Sequence, residues 1–102
     1  MSGPTLQQQT TAILRRLVRK DAAPAVRKVL ARARSADIAA AMDLMTSDER
    51  RRLFALIHDR DRAADVISYL DDDAQRDLAV DMTEEEVADL LERMEPDDAS
   101  DV

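Results

Sequence analysis

The residues of this chain best equipped to do chemistry are carboxylates. Between Asp61 and Val102 stand sixteen acidic residues against three basic ones, Arg62, Arg76 and Arg93. That density is costly in self-repulsion, and a divalent cation removes the cost, so this half of the chain should attract cations. Asp97 and Asp101 are spaced to act together, because positions i and i+4 share one helix face and present paired carboxylates. Asp97 and Asp98 also follow Pro96 at an expected helix start, where the helix dipole favours acids. The run Asp71, Asp72, Asp73 lacks the glycine and later glutamate of a calcium loop and is expected to cap a helix instead.

Other chemistries are poorly supplied. His58 is the only histidine, which excludes a histidine metal cluster. It is expected near the end of the fourth helix, as a cation favoured by the dipole there. There is no cysteine, hence no disulfide framework and no thiol nucleophile, and the lone Gly3 excludes a glycine-rich phosphate loop. Carboxylate pairs on exposed helices, with no apolar pocket to separate their pKa values, make poor acid–base machinery. The chain is read as a non-enzyme. No stretch approaches the ~20 apolar residues that span a bilayer, and no leader-like segment opens the chain, so a cytosolic setting fits best.

The elements that must position these groups are helices. Hydrophobic residues make up 45% and charged residues 36% of 102 residues, with one glycine and no tryptophan, a mixture that favours an all-α fold. Apolar spacing predicts a first helix over about 6–19 burying Ile13, Leu14, Leu17 and Val18, and a second opened by Asp21 and Pro24. Ser35 is expected to cap the third, and the Thr46/Glu49 and Thr83/Glu86 pairs have capping-box spacing. Asp61 and Asp71 or Asp72 should open two more helices, and Pro96 a last one. Val87, Leu90, Leu91 and Met94 are expected to be buried.

One phrase is written three times: Ala36-Asp37-Ile38 with Met42, Ala64-Asp65-Val66 with Leu70, and Ala88-Asp89-Leu90 with Met94. Repetition of this kind signals a helical solenoid. The expected architecture is a right-handed superhelix of seven to eight short helices with an aliphatic, Met-rich core. It forms a single domain over 1–102, with a basic helix pair over 1–34 and repeated acidic helices over 35–102. The basic end carries eight cations, among them Arg15, Arg16, Arg19 and Lys20, against Asp21 alone. These are expected to be solvated faces scattered over two helices, and without aromatic residues between them they make a poor nucleic-acid surface.

The phrases Ser35-Ala36-Asp37-Ile38-Ala39, Thr46-Ser47-Asp48-Glu49-Arg50, residues 62–70 (Arg62 to Leu70), Asp73-Ala74-Gln75 and residues 87–99 (Val87 to Ala99), in this order and spacing, resemble the intracellular N domain of the MgtE-type magnesium transporters. The resemblance runs from about Leu6 to the C-terminus and implies a right-handed superhelix, forming the N-terminal part of a longer protein that continues into a CBS domain pair and a transmembrane pore. It implies a cytosolic Mg²⁺ sensor, in which ions bridge the acidic surfaces of the N and CBS domains and hold the channel closed. By position it makes Asp65, Asp97 and Asp101 the ion-facing carboxylates, with Asp65 standing where glutamate is more usual. A homodimer through the parent protein, and neither nucleic acid nor membrane insertion, follows for partners. The alternative is a protein–protein interaction module, like the flagellar switch protein or a soluble CBS-linked regulator, with an exposed apolar groove and no ion role.

Overall fold

Helix starts are marked in this sequence by threonine and aspartate side chains that satisfy the first free backbone N–H groups. In the computed structural model, which describes Gly3 and residues 5–94, these starts open α1 (Leu6–Arg19), α4 (Ser47–Ala55), α5 (Arg60–Tyr69), α6 (Asp72–Ala79) and α7 (Glu84–Met94). Two further helices, α2 (Ala23–Arg32) and α3 (Ser35–Asp43), lack a side-chain cap. No strand occurs among the described residues, and the fold is all-α. The helix expected from Pro96 lies outside them.

Capping boxes open α1, α4 and α7: Thr5, Thr46 and Thr83 each accept the backbone N–H three residues on, and Gln8, Glu49 and Glu86 accept in return. Asp71 accepts from the Ala74 N–H at 2.9 Å and caps α6. For α5 the cap is Asp59 rather than Asp61, taking the N–H groups of Asp61 (2.9 Å) and Arg62 (3.3 Å). Ser35 is the first residue of α3, not its cap, and its hydroxyl accepts from Arg62 Nε at 3.1 Å. Asp21 closes α1 instead of opening α2. At φ 54° it is left-handed, and the N–H groups of Asp21 and Ala22 donate to Val18 and Leu17 in a Schellman turn. Pro24 sits in the first turn of α2, where its missing N–H costs nothing.

Other helix C-termini need a different closure, because the chain's only glycine is Gly3. Donors from later helices supply it. Arg62 of α5 reaches Leu30 O (3.1 Å) and Ala33 O at the end of α2. Arg50 of α4 donates through Nε to Met42 O (2.9 Å) and through Nη2 to Met45 O (3.0 Å) behind α3. Gln75 of α6 donates to Ile67 O at 2.7 Å in α5.

Helices α1, α3, α5 and α7 stack in series, while α2 packs on α1, and α4 lies against α1, α3 and α6. The repeated phrase falls on α3, α5 and α7, three of the four members of this row. Its aliphatic position is buried each time, in Ile38, Val66 and Leu90, and of the residues five after the aspartate Met42 and Leu70 are buried and Met94 half-buried. The repeat therefore codes for one wall of a superhelical stack. Leu14, Val18, Val26, Leu53 and Leu78 complete an aliphatic core, with Phe54 only partly buried and Tyr69 exposed. Two residues depart from the expected stripes. Ile13 is 46% exposed and Leu91 57% exposed, because Thr11, Leu14 and Val18 define the inward line of α1, and Leu90 that of α7; a neighbour 100° away points out.

Candidate functional site

The α5–α7 contact gathers carboxylates by local rules. Asp59 and Asp61 belong to the first turn of α5, favoured there by capping and the dipole. Asp65 lies one turn further on, on the outer side of a helix whose Ala63, Ala64, Val66 and Ile67 face inward. With Ser68, Arg62, Arg93 and Met94 these three acids line an open depression of about 390 Å³.

Part of that charge is compensated. Arg93 donates to Asp61 at 2.7 Å and to Asp89 at 3.1 and 3.2 Å, tying α7 to α5. Its hydrogen bonds to the Asp61 and then the Asp89 carboxylate push the Arg93 pKa up. Arg60 adds a 3.4 Å contact to Asp89. Asp65 is different: it is exposed, and its carboxylate makes no ion pair or hydrogen bond among the described residues. The three repeat aspartates thus have three fates, half-buried in the first turn of α3 for Asp37, free for Asp65 and ion-paired for Asp89. Sequence reasoning missed Arg93, although its i+4 spacing from Asp89 was a signal.

Asp65 is the one expected ion-facing residue among the described residues; Asp97 and Asp101 lie outside them. No group of three acids or histidines among the described residues has the geometry to hold a metal ion. Asp65 therefore offers a single free carboxylate on this surface and no metal cage. Asp71, Asp72 and Asp73 behave as expected, one cap with exposed neighbours.

A second feature lies between α4, α6 and α7. An open groove of about 530 Å³ is lined by Phe54, Ile57, Leu78, Met82 and Leu90, with Arg51, His58, Arg60, Asp81 and Glu86 around them. His58 is exposed and lies in the α4–α5 connection, beyond the Leu56 cap of α4. It thus follows the end of α4, as expected, and also borders the groove.

Residues 33–102 match the MgtE intracellular N domain, and the chain belongs to that family. The match starts just past α2 and takes in α3 to α7. The family is one of transporter regulatory domains, not of catalytic ones. No curated protein and no solved structure matches the chain. No helix among the described residues is long and apolar enough to cross a membrane.

Proposed function

We propose that this chain is the cytosolic Mg²⁺-sensing domain of a magnesium transporter or channel, whose acidic face is bridged by divalent cations to a neighbouring CBS domain pair. Family membership carries this reading. It is supported by the acidic balance from Asp61 onward and by the free carboxylate of Asp65 beside the Arg93 bridge from α7 to α5. At low Mg²⁺ two acidic surfaces repel and the domain swings away from its partner; at high Mg²⁺ hydrated ions between Asp65, Asp97, Asp101 and the partner's carboxylates remove the repulsion.

The test is thermal unfolding of the full chain against MgCl₂, with NaCl matched for ionic strength. A ligand at about ten times its Kd that binds only the folded state adds about 1.4 kcal/mol. The expected result is stabilisation beyond NaCl that is reduced in Asp65→Asn and in Asp97→Asn/Asp101→Asn. An identical response to both salts, in wild type and variants alike, refutes ion binding by this chain.

The groove between α4, α6 and α7 favours a second reading, an interaction module that docks an apolar segment. That reading expects a response to MgCl₂ no larger than to NaCl, and loss of partner binding in Phe54→Ala or Met82→Ala.

A further inference from the structure

The cations of this chain divide by position, with two exceptions: Arg19 near the basic end is paired with Glu49, and Arg76 on α6 makes no ion pair or hydrogen bond among the described residues. Arg50, Arg51, Arg52, Arg60, Arg62 and Arg93 are all engaged in ion pairs or hydrogen bonds. Arg16, Lys20, Arg27, Lys28, Arg32 and Arg34 make none among the described residues, in a chain carrying a net charge of −7. Most of the acid lies from Asp61 onward, and the acids near α1, Asp21, Asp48 and Glu49, pair with Arg52 and Arg19 instead. All of these free cations but Arg34 precede the family match, which starts at Ala33, so the matched region does not account for them.

On α1 the charges converge rather than scatter. Arg15, Arg16, Arg19 and Lys20 line one open depression with Ala12. Arg19 is tied to Glu49 at 2.6 Å, while Arg16 and Lys20 are exposed and free. No acidic residue occurs anywhere in α1. On the same outer side stand Ile13, 46% exposed, and Leu6, 81% exposed. A helix lying along the molecule's edge, basic and bearing exposed aliphatics, has the composition of an interfacial helix.

We propose that the outer face of α1 docks on an anionic lipid surface, with Arg16 and Lys20 among the headgroups and Ile13 and Leu6 at the acyl boundary. The acidic end does not oppose this. From α1 to α7 the stack takes three interaxial steps of about 8–10 Å each, several times the ~8 Å Debye length at physiological salt. A nucleic acid is a poorer fit, because α1 offers no aromatic side chain for base stacking. The inference does not depend on the magnesium reading.

The full chain is sedimented with vesicles of phosphatidylcholine and of equal parts phosphatidylcholine and phosphatidylglycerol, with EDTA present, at low and high NaCl. Binding is expected to the anionic vesicles alone and to be lost at high salt. Each surface cation contributes about fivefold to partitioning, so Arg16→Gln/Lys20→Gln should bind about 25-fold more weakly. Ile13→Ser should weaken binding, and Arg76→Gln on α6 should leave it unchanged. Equal sedimentation with neutral vesicles, no binding to anionic ones, or retention by the double variant overturns the proposal. So does low-salt self-association or binding to duplex DNA without vesicle binding, which assigns the patch to a second copy's acidic end or to nucleic acid. EDTA keeps failure here separate from failure of the ion reading.

Discussion

Removing the Arg62 side chain should unfasten the first two helices from the rest of the stack. Its guanidinium donates to three acceptors at the α2–α3 junction: Leu30 O at 3.1 Å, Ala33 O, and Ser35 Oγ at 3.1 Å. Leu30 O is among the last four carbonyls of α2, which have no partner within the helix. A hydrogen bond from a charged donor contributes about 1.5–3 kcal/mol net. Water reaches a partly buried junction and recovers some of that, so Arg62→Ala should cost about 2–4 kcal/mol. At about 4–8 °C per kcal/mol for a domain of this size, the midpoint should fall by at least ~8 °C in thermal unfolding followed by far-ultraviolet circular dichroism. Arg62→Lys keeps the charge but not the fork, so it should recover less than half of the loss. A loss below about 0.5 kcal/mol for alanine, or full rescue by lysine, would refute the clamp, the first by showing the carbonyls well solvated and the second by showing charge alone to suffice.

Four further outcomes follow from the same geometry. Asp21→Gly should raise stability by up to about 1 kcal/mol in urea titration, since glycine takes the left-handed position freely and the exposed 3.4 Å contact with Arg52 contributes little. Thr46→Ala should lose about 1 kcal/mol with the α4 capping box, whereas Ile38→Ala should lose about 2–5 kcal/mol and Leu91→Ser almost nothing, by the same assay. Burial, then the nearby Asp71 carboxylate, raises the Asp43 pKa above its ordinary 3.8 against the Asp71 N–H and Arg50. The folded state holds this proton more tightly, so ionised Asp43 weakens the fold at neutral pH, and Asp43→Asn should raise the midpoint at pH about 7 and match wild type at pH about 3. Glu49 has the opposite sign. The Arg19 hydrogen bond, then the Thr46 N–H, lowers its pKa below the ordinary 4.5, so its contribution is present above that pH and lost as pH falls through the depressed value; the stability gap between wild type and Arg19→Met should shrink on acidification.

What was legible in the sequence is what local chemistry decides. Thr46 and Glu49, or Thr83 and Glu86, find each other within one turn, so spacing alone locates α4 and α7. The repeated Ala-Asp-aliphatic phrase was readable because each copy meets the same neighbours in the row of α3, α5 and α7. Long-range choices were not. Ser35 looked like a cap because caps are local, but the Arg62 guanidinium, 27 residues away, takes its hydroxyl. Asp21 precedes a proline helix and so read as its start, while the backbone uses it to finish α1. Ile13 and Leu91 are apolar in apolar stripes, and only the placement of neighbouring helices shows which edge of each stripe is left over. For the site, the acidic balance from Asp61 onward was legible, but the neutralising role of Arg93 toward Asp61, 32 residues away, is a property of the α5–α7 contact and not of any window of sequence.

The Arg62 clamp also bears on where this domain can be cut. Family resemblance begins at Ala33, and a chain begun there would look like a self-sufficient module. It would keep the guanidinium but discard Leu30, one of its acceptors, and would uncover the side of α3 that α1 covers. The family match therefore leaves out two helices of this stack, of which α1 packs directly on α3. Any relative that dispenses with these two helices must supply another lid for α3 and another acceptor for the arginine, and a chain trimmed to Ala33 should be less stable than the full one for want of both.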